Sequence, residues 1–434
     1  MRINIVILLL CLIPSTALAD DRPNIIFIMV DDMGRDWVSC YGAQHPTPNI
    51  DRLASQGVRY ETAWCLPICT PTRVTLLTGQ YPFRHGWTQH YDVPRWGGDG
   101  LKWTKFTTFA RVLRDSGYAT AIGGKWQINH LGKQPEALRQ HGFDEHCVWM
   151  GVEADRPETK QRYWEGQIMT NGHRETVPYG PDTINRFLVE FIQRERDQPF
   201  LVYYPMLLTH GPHTHTPLNQ DDPPQGKPAL YGGNVTYMDQ LVGQLVAAVD
   251  QAGLGKNTLI LFTGDNGSAA AGILNGEPYV KGKGRQADHG AHVPFIVRAP
   301  FLTTDGGRVS RDLIDFTDVY PTFVELAKAT LPEDVPLDGK SFAPSLRGSQ
   351  DPFEKRSWVY SQLGDFRMIR DWQHILDSNG NFHDLGKDPR QEHEVSPLDK
   401  IAPGRRQRLQ MILDRFPQNA EPPFAEFGAR HGRQ

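Results

Sequence analysis

The sequence predicts an α/β fold, with a large, mostly parallel central sheet flanked by helices and a small C-terminal domain holding a short antiparallel sheet and a helix. Two observations predict the large sheet. Several β-rich apolar runs each lead to a polar residue, and helical stretches lie between them. Near-continuous apolar runs of this length are buried on both faces, which is the habit of parallel sheets. A third observation predicts the small domain: beyond a cluster of Ser, Gly and Pro at 344–354, the chain turns to short strand-like segments around a hairpin turn.

In chain order, the run 24–30 stops at Asp31-Asp32, and the run 118–122 leads through Gly123-Gly124 to Lys125. The run 200–204 leads on to His210, and 258–263 stops at Gly264-Asp265-Asn266. Helices are expected at 49–55, 105–116, 182–194, 235–252 and 315–328. After the boundary, 358–360, 366–369 and 374–376 read as antiparallel strands, with Asn379-Gly380 as a turn. A helix over about 405–415 follows, then an extended tail after Pro417. The basic run Arg405-Arg406-Gln407-Arg408 reads as a solvated helix face. In an open parallel sheet, ligands bind beyond the carboxyl ends of the strands. That places Asp31, Asp32, Lys125, His210, Asp265 and Asn266 on one rim.

Composition bounds the function. Met1-Arg2, an apolar run at 5–13 and Ala17-Leu18-Ala19 before Asp20 read as a secretory signal peptide cleaved near Ala19, so export to a periplasm or the extracellular space is expected. Of 434 residues, 434 − 19 = 415 remain, too many for one simple core. The expected division is 1–19 leader, 20–348 catalytic domain and 349–434 small domain. No later stretch approaches the ~20 apolar residues of a membrane span, so no membrane partner is expected. A formal charge of -4 argues against nucleic acid as partner, without excluding a local cationic pocket. Cys40, Cys65, Cys69 and Cys147 are too sparse for a disulfide scaffold, and one bridge is the most expected. Asn234-Val235-Thr236 matches a glycosylation acceptor, relevant only in a eukaryotic secretory pathway.

Asp31, Asp32 and Asp265 would bring three carboxylates together, and Asn266 would add an amide oxygen. Adjacent Asp residues at a strand end are commonly turn or cap residues. Converging without a cation, they would repel and raise one another's pKa. An all-oxygen set suits a hard cation, calcium before magnesium. Cys69-Thr70-Pro71-Thr72-Arg73, read alone, is a helix start closed by Gly79, with Arg73 one turn beyond residue 69 on the same face. Three carboxylates with one divalent cation leave about -1; Arg73, Lys125 and Lys283 bring the pocket to roughly +2, which favours an anionic substrate.

The pentapeptide, running into Leu76-Leu77-Thr78-Gly79, resembles the maturation signature of type I sulfatases, in which the cysteine is oxidised by another enzyme to formylglycine. The resemblance extends over most of the chain. It takes in Arg22-Pro23-Asn24 with Asp31-Asp32-Met33-Gly34, the segment 47–54, Gly123-Gly124-Lys125-Trp126 and His210 five residues after Pro205. It continues through Lys283-Gly284 ahead of Val293-Pro294, and through His383-Asp384-Leu385 with Asp388-Pro389. It implies an alkaline-phosphatase-like sandwich, one calcium ion on Asp31, Asp32, Asp265, Asn266 and residue 69, and a formylglycine-generating enzyme as maturation partner. The implied substrate is a sulfated small molecule or saccharide. Residue 69 would attack sulfur, Arg73 would hold it, Lys125 and Lys283 would bind the sulfate oxygens, and His210 or Lys283 would protonate the leaving alcohol. One departure stands out: many members have a histidine where this chain has Gln127, and glutamine is no base near neutral pH. Either Gln127 only positions the substrate or His130 takes the role. The first is favoured because residues 125 and 127 share a face in extended backbone.

His213 and His215 are expected to line the entrance. Trp87, Trp96 and Trp103 could stack on sugar rings, though packing is the expected role for most. Two alternatives remain on sequence: a phosphodiester or phosphonate monoester hydrolase on the same fold, and an unconverted, inactive sulfated-glycan binding protein.

Overall fold

All seven residues of β1 (Asn24–Val30) are buried, and its two sets of alternating side chains enter two different cores. Ile25, Phe27 and Met29 face one; Ile26, Ile28 and Val30 face the other. This is the two-residue period of a strand covered on both sides. The computed structural model describes residues 21–194, 198–303, 305–386, 403–417 and 423. The expected signal peptide, the Asp388-Pro389 pair and all of the tail after Pro417 except residue 423 lie outside the described residues.

β1 pairs in parallel with β7 (Phe200–Pro205) on one side and β8 (Thr258–Gly264) on the other. β7 pairs in parallel with β3 (Ala119–Lys125), and β3 with β4 (Glu145–Trp149). The four apolar runs therefore lie side by side and run the same way, so their ends share a rim. Antiparallel strands extend the sheet on both flanks. Beyond β4 come β5 (Trp164–Thr170) and β6 (His173–Tyr179). Beyond β8 come β12 (Phe295–Arg298), β2 (Val58–Trp64) and β11 (His292–Val293), with β13 (Arg308–Asp315) parallel to β2. A hairpin, β9 (Gly272–Leu274) and β10 (Glu277–Tyr279), projects from the loop after β8.

Helices cover both faces, completing the sandwich. α1 (Pro48–Ser55) and the helices Gly180–Gln193 and Lys227–Gln251 supply Ile50, Leu53, Ile184, Leu188, Leu241 and Leu245 to one core. α2 (Cys69–Thr78) and the helices Phe109–Asp115 and Val319–Leu326 supply Val74, Leu76, Leu77, Phe109 and Phe323 to the other. Each such side chain, fully buried, stabilises the fold by about 1.5–3 kcal/mol.

Two helix boundaries differ from expectation. The helix expected at 105–116 begins only at Phe109, because the Thr108 side chain caps it by accepting the Arg111 N–H. The helix expected from 235 starts eight residues earlier, at Lys227, with a proline in its first turn. This longer helix buries Asn234, whose Nδ2 donates to the Thr214 carbonyl at 2.9 Å, so the glycosylation match is out of reach in the folded chain. Cys40, Cys65, Cys69 and Cys147 are all free thiols, within the limit of at most one bridge.

The C-terminal part forms its own four-stranded antiparallel sheet of β14 (Val359–Leu363), β15 (Phe366–Arg370), β16 (His374–Asp377) and β17 (Phe382–Asp384). β17 joins the three strands expected. Leu409 and Leu413 of the helix Pro403–Leu413 pack with Tyr360, Ile369 and Leu376, and with Tyr81 from the main body. Arg356 ties the two parts together, reaching the Asp318 carboxylate at 2.6 Å, Thr317 Oγ1 at 3.1 Å and the Asp338 carbonyl at 3.0 Å. No helix among the described residues is long and apolar enough to cross a membrane.

Candidate active site

The ends of β1, β3 and β8 bring Asp31, Asp32, Lys125, Asp265 and Asn266 together, as their positions after the apolar runs suggested. Lys125 Nζ donates to Asp31 Oδ2 at 2.6 Å, and Lys283 Nζ to Asp32 Oδ2 at 2.8 Å. Arg73 Nη2 lies 2.7 Å from Asp265 Oδ2 and 3.5 Å from Asp31 Oδ2. Gly124 permits the close approach of Lys125, since a Cβ there would fall 1.9 Å from the Pro205 carbonyl oxygen. Asp32 stands in left-handed backbone, φ 64°, held by its own N–H on Asp265 Oδ1 at 2.9 Å and by the Tyr231 hydroxyl on its carbonyl at 2.6 Å.

Burial opposes ionisation of Asp31, but Lys125, Arg73 and Lys283 outweigh it and hold the carboxyl well below its usual range. Asp32 is also lowered, burial being outweighed by Lys283. Burial and the Asp31 charge push Asp265 well above, despite Arg73. Three carboxylates so placed call for more positive charge. The acceptor pattern agrees: Asp31 Oδ1 and Asn266 Oδ1 are buried oxygens with no hydrogen-bond donor. Asn266 turns its Nδ2 to Asp32 Oδ1 at 2.9 Å and the Gly267 carbonyl at 3.0 Å, which leaves its oxygen free for a cation. Ligand atoms of Asp31, Cys69 and Asp265 lie within 4.8 Å of one another, as do those of Asp31, Asp32 and His210. The oxygens of Asp31, Asp32, Asp265 and Asn266 in this set fit a hard, oxygen-seeking ion.

Cys69 opens α2 and is fully buried. Its Sγ, standing where an oxygen of the converted side chain would be, lies 3.6 Å from Gln127 Oε1 and 3.6 Å from His90 Nδ1. Gln127 rather than His130 therefore faces residue 69, but not for the expected reason. The backbone is not extended there: Gln127 has φ 67°, and the Ile128 N–H donates to the Trp126 carbonyl. His130 instead lies 3.5 Å from Glu153 Oε1.

Sequence reasoning missed His90 and Arg162. His90 sits 3.5 Å from Thr70 Oγ1, its ring edge-on to Trp96, and burial lowers its pKa to about 4 although Asp92 pulls the other way. Arg162 lies over the Trp149 ring, 3.9 Å from its centroid, with no carboxylate within 4.0 Å among the described residues. Its Nη1 is 3.1 Å from His210 Nδ1. That nitrogen is also 2.7 Å from the Gly211 carbonyl, and the two contacts ask for opposite tautomers. His210 Nε2 points toward Asp32 Oδ2, 3.9 Å away, and burial lowers the ring's pKa to about 3. His213 sits edge-on to Tyr231, and His215 lies against Trp164. Of the tryptophans, Trp87 is buried core and Trp103 lies under Arg111. Of the three expected to meet a sugar, Trp96 borders the centre, through His90.

A buried nucleophile at a helix start, facing acidic oxygens and fixed cations at the rim of an α/β sheet, marks a hydrolase of anionic esters. Comparison with known proteins narrows the class. The sulfatase family model matches residues 23–329. Arylsulfatase D of Homo sapiens is 31% identical over 439 residues, covering 80% of this chain and 72% of that protein. The chain belongs to the sulfatase family, as a type I member of the alkaline phosphatase superfamily, and is a sulfuric ester hydrolase. Solved structures share the fold. Ps i-CgsB has a TM-score of 0.79 at 24% identity, covering 94% of this chain and 96% of its own. BT4656, in complex with D-glucosamine-2-N,6-O-disulfate, has a TM-score of 0.72 at 20% identity, covering 91% and 97%.

Proposed function

We propose that this chain removes sulfate from carbohydrate sulfate esters, using residue 69 as formylglycine beside one calcium ion held by Asp31, Asp32, Asp265 and Asn266. The observation that carries the reading is the convergence of Asp31 and Asp265 on Cys69, with Asp32 grouped beside Asp31, and two buried oxygens, Asp31 Oδ1 and Asn266 Oδ1, lacking donors. Carbohydrate as substrate is supported by the neighbours: Ps i-CgsB has been solved with k-i-k-neocarrahexaose and BT4656 with its glucosamine disulfate substrate. The maturation partner is a formylglycine-generating enzyme, the leader ending near Ala19 directs export, and the chain divides at 348/349.

When present, the two groups supply a hydrated aldehyde as nucleophile and a divalent charge that makes it more acidic. The protein's own residues do the rest. Arg73, tied to Asp265 and to the Lys125 carbonyl at 3.2 Å, fixes the helix start against the strand ends. Lys125 and Lys283 place two ammonium groups where the sulfate oxygens gain charge. His210 Nε2 and Lys283 Nζ both lie beside Asp32; with His210 held neutral, the Lys283 ammonium is the group that would protonate a leaving alcohol. Gln127 and His90 hold residue 69 from two sides.

The test is mass spectrometry of the peptide containing residue 69, with free sulfate measured against a panel of sulfated saccharides and a phosphate diester. The expected result is an aldehyde at 69, release of sulfate from at least one saccharide, slower phosphodiester turnover, and loss of activity in Cys69→Ala with the fold intact by circular dichroism. An active preparation carrying only thiol at 69 would refute the reading.

A further inference from the structure

A second cleft, of about 400 Å³, opens where the outer strands of the main sheet meet the C-terminal sheet. Arg35, Arg59, Glu61 and Asp288 line it from the main body, and Arg370 and Trp372 from the small sheet. Its acids are already engaged. Asp288 receives Arg370 Nη1, Trp64 Nε1 at 2.9 Å and His292 Nδ1 at 2.9 Å, and Glu61 pairs with Arg311 at 3.2 Å. Two guanidiniums stand outside any ion pair, although Arg35 shares a hydrogen bond with Tyr279 and is favoured by the charges of Asp288 and Asp36. Among the described residues no carboxylate lies within 4.0 Å of Arg35 or of Arg59. Arg59 is spread over the Tyr41 ring, 4.9 Å from its centroid, and Arg35 Nε is buried without a hydrogen-bond partner.

Two guanidiniums without an ion pair in one cavity favour an anion there, and their planar fork suits a sulfate or carboxylate better than a point charge. Beside them Trp372 is 46% exposed, yet its Nε1 donates to the Arg311 carbonyl at 2.8 Å and fixes the ring. A held, exposed indole next to cations offers a flat apolar face to a sugar ring and charge to its substituent. The cleft also shares two loops with the candidate active site: Arg35 follows Asp32 by three residues, and Asp288 follows Lys283 by five.

We propose that this cleft is an exosite that binds a second sulfated sugar residue of the polysaccharide whose ester is hydrolysed at residue 69. It rests on the carbohydrate reading of the active site. Arg35 and Arg59 hold the sulfate, and Trp372 stacks on the ring that bears it.

Calorimetric titration of Cys69→Ala protein with a defined sulfated hexasaccharide, its desulfated counterpart and a uronic acid hexasaccharide tests the site directly. Arg59→Gln and Trp372→Ala, each in that background, should weaken sulfated-saccharide binding about tenfold, the worth of one charge-assisted contact. Arg59→Lys should fall between Arg59→Gln and the parent. In the catalytic background, the ratio of kcat/KM on the hexasaccharide to that on a monosaccharide sulfate should drop by a similar factor. Unchanged affinity and an unchanged ratio in both variants would overturn the proposal, as would equal affinity for desulfated or uronate saccharide. If no saccharide sulfate is hydrolysed at all, the reading of residue 69 fails, and the titration alone decides the cleft.

Discussion

Arg162 carries a buried charge that no acid answers within 4.0 Å among the described residues; its neighbours are the Trp149 face and His210 Nδ1. A guanidinium cannot accept a hydrogen bond, and beside it a protonated ring is disfavoured, so Arg162 helps keep His210 neutral and in place. Removing such an orienting partner costs about 10- to 100-fold. Arg162→Met should lower kcat more than it raises KM, with Arg162→Lys restoring part of the loss in steady-state assays. His90→Asn should lower kcat further, by about 10²-fold or more if the imidazole moves a proton at residue 69. Gln127→Ala should act mainly on KM. These residues also mark the limit of sequence reading. Asp31, Asp32, Lys125, Asp265 and Asn266 were legible because each follows an apolar run and inherits its place from the strand. His90 and Arg162 come from irregular loops, where neither period nor spacing says which way a side chain turns. Gln127 lies beside Cys69 for a reason other than the one expected: its positive φ, not an extended strand, aims it there.

At the scale of elements, the loop after β1 and the loop after β8 are pinned to each other by Ser268 and Asp36. Ser268 Oγ donates to Asp36 Oδ1 at 2.7 Å and accepts the Gly34 N–H at 2.9 Å, while Asp36 Oδ2 is buried with no partner. Burial raises the Asp36 pKa to about 7. The folded chain therefore holds a proton that the unfolded chain releases near its ordinary value of about 4. Stability from this group is fully present below about pH 4 and is lost as pH rises to about 7, at roughly 1.4 kcal/mol per unit. Asp36→Asn should flatten that slope. Melting curves from pH 5 to 8 should show the variant gaining on the parent as pH rises, and parallel curves would contradict the assignment. The positions of β1, β3, β7 and β8 were readable because both faces are apolar, whereas flanking strands such as β2, β5 and β6, part-exposed along their length, were not. Helix starts were less so: the Thr108 cap decides where one begins, and another begins at Lys227 with a proline in its first turn.

For the whole molecule, the question is whether the C-terminal sheet stands alone. Arg356 is buried against Asp318, Ser361 Oγ donates to the Cys65 carbonyl at 2.8 Å, and Arg370 reaches Asp288. Breaking a buried ion pair from one side costs about 3–5 kcal/mol. Arg356→Ala should lower the melting temperature while calorimetry still records a single transition. Two separated transitions in the parent would mean that the seam is weaker than its contacts imply. A boundary is expected at the run of Ser, Gly and Pro, whereas the side chains that join the two parts are distant in the chain and leave no local signal. The depth of Cys69 carries a consequence for the order of events in the cell. A thiol with no accessible surface, enclosed by a helix and the ends of the strands, offers nothing for another protein to grip. Any oxidation of that side chain by a separate catalyst has to happen while the polypeptide is still extended, so the chance for activation closes when the chain folds.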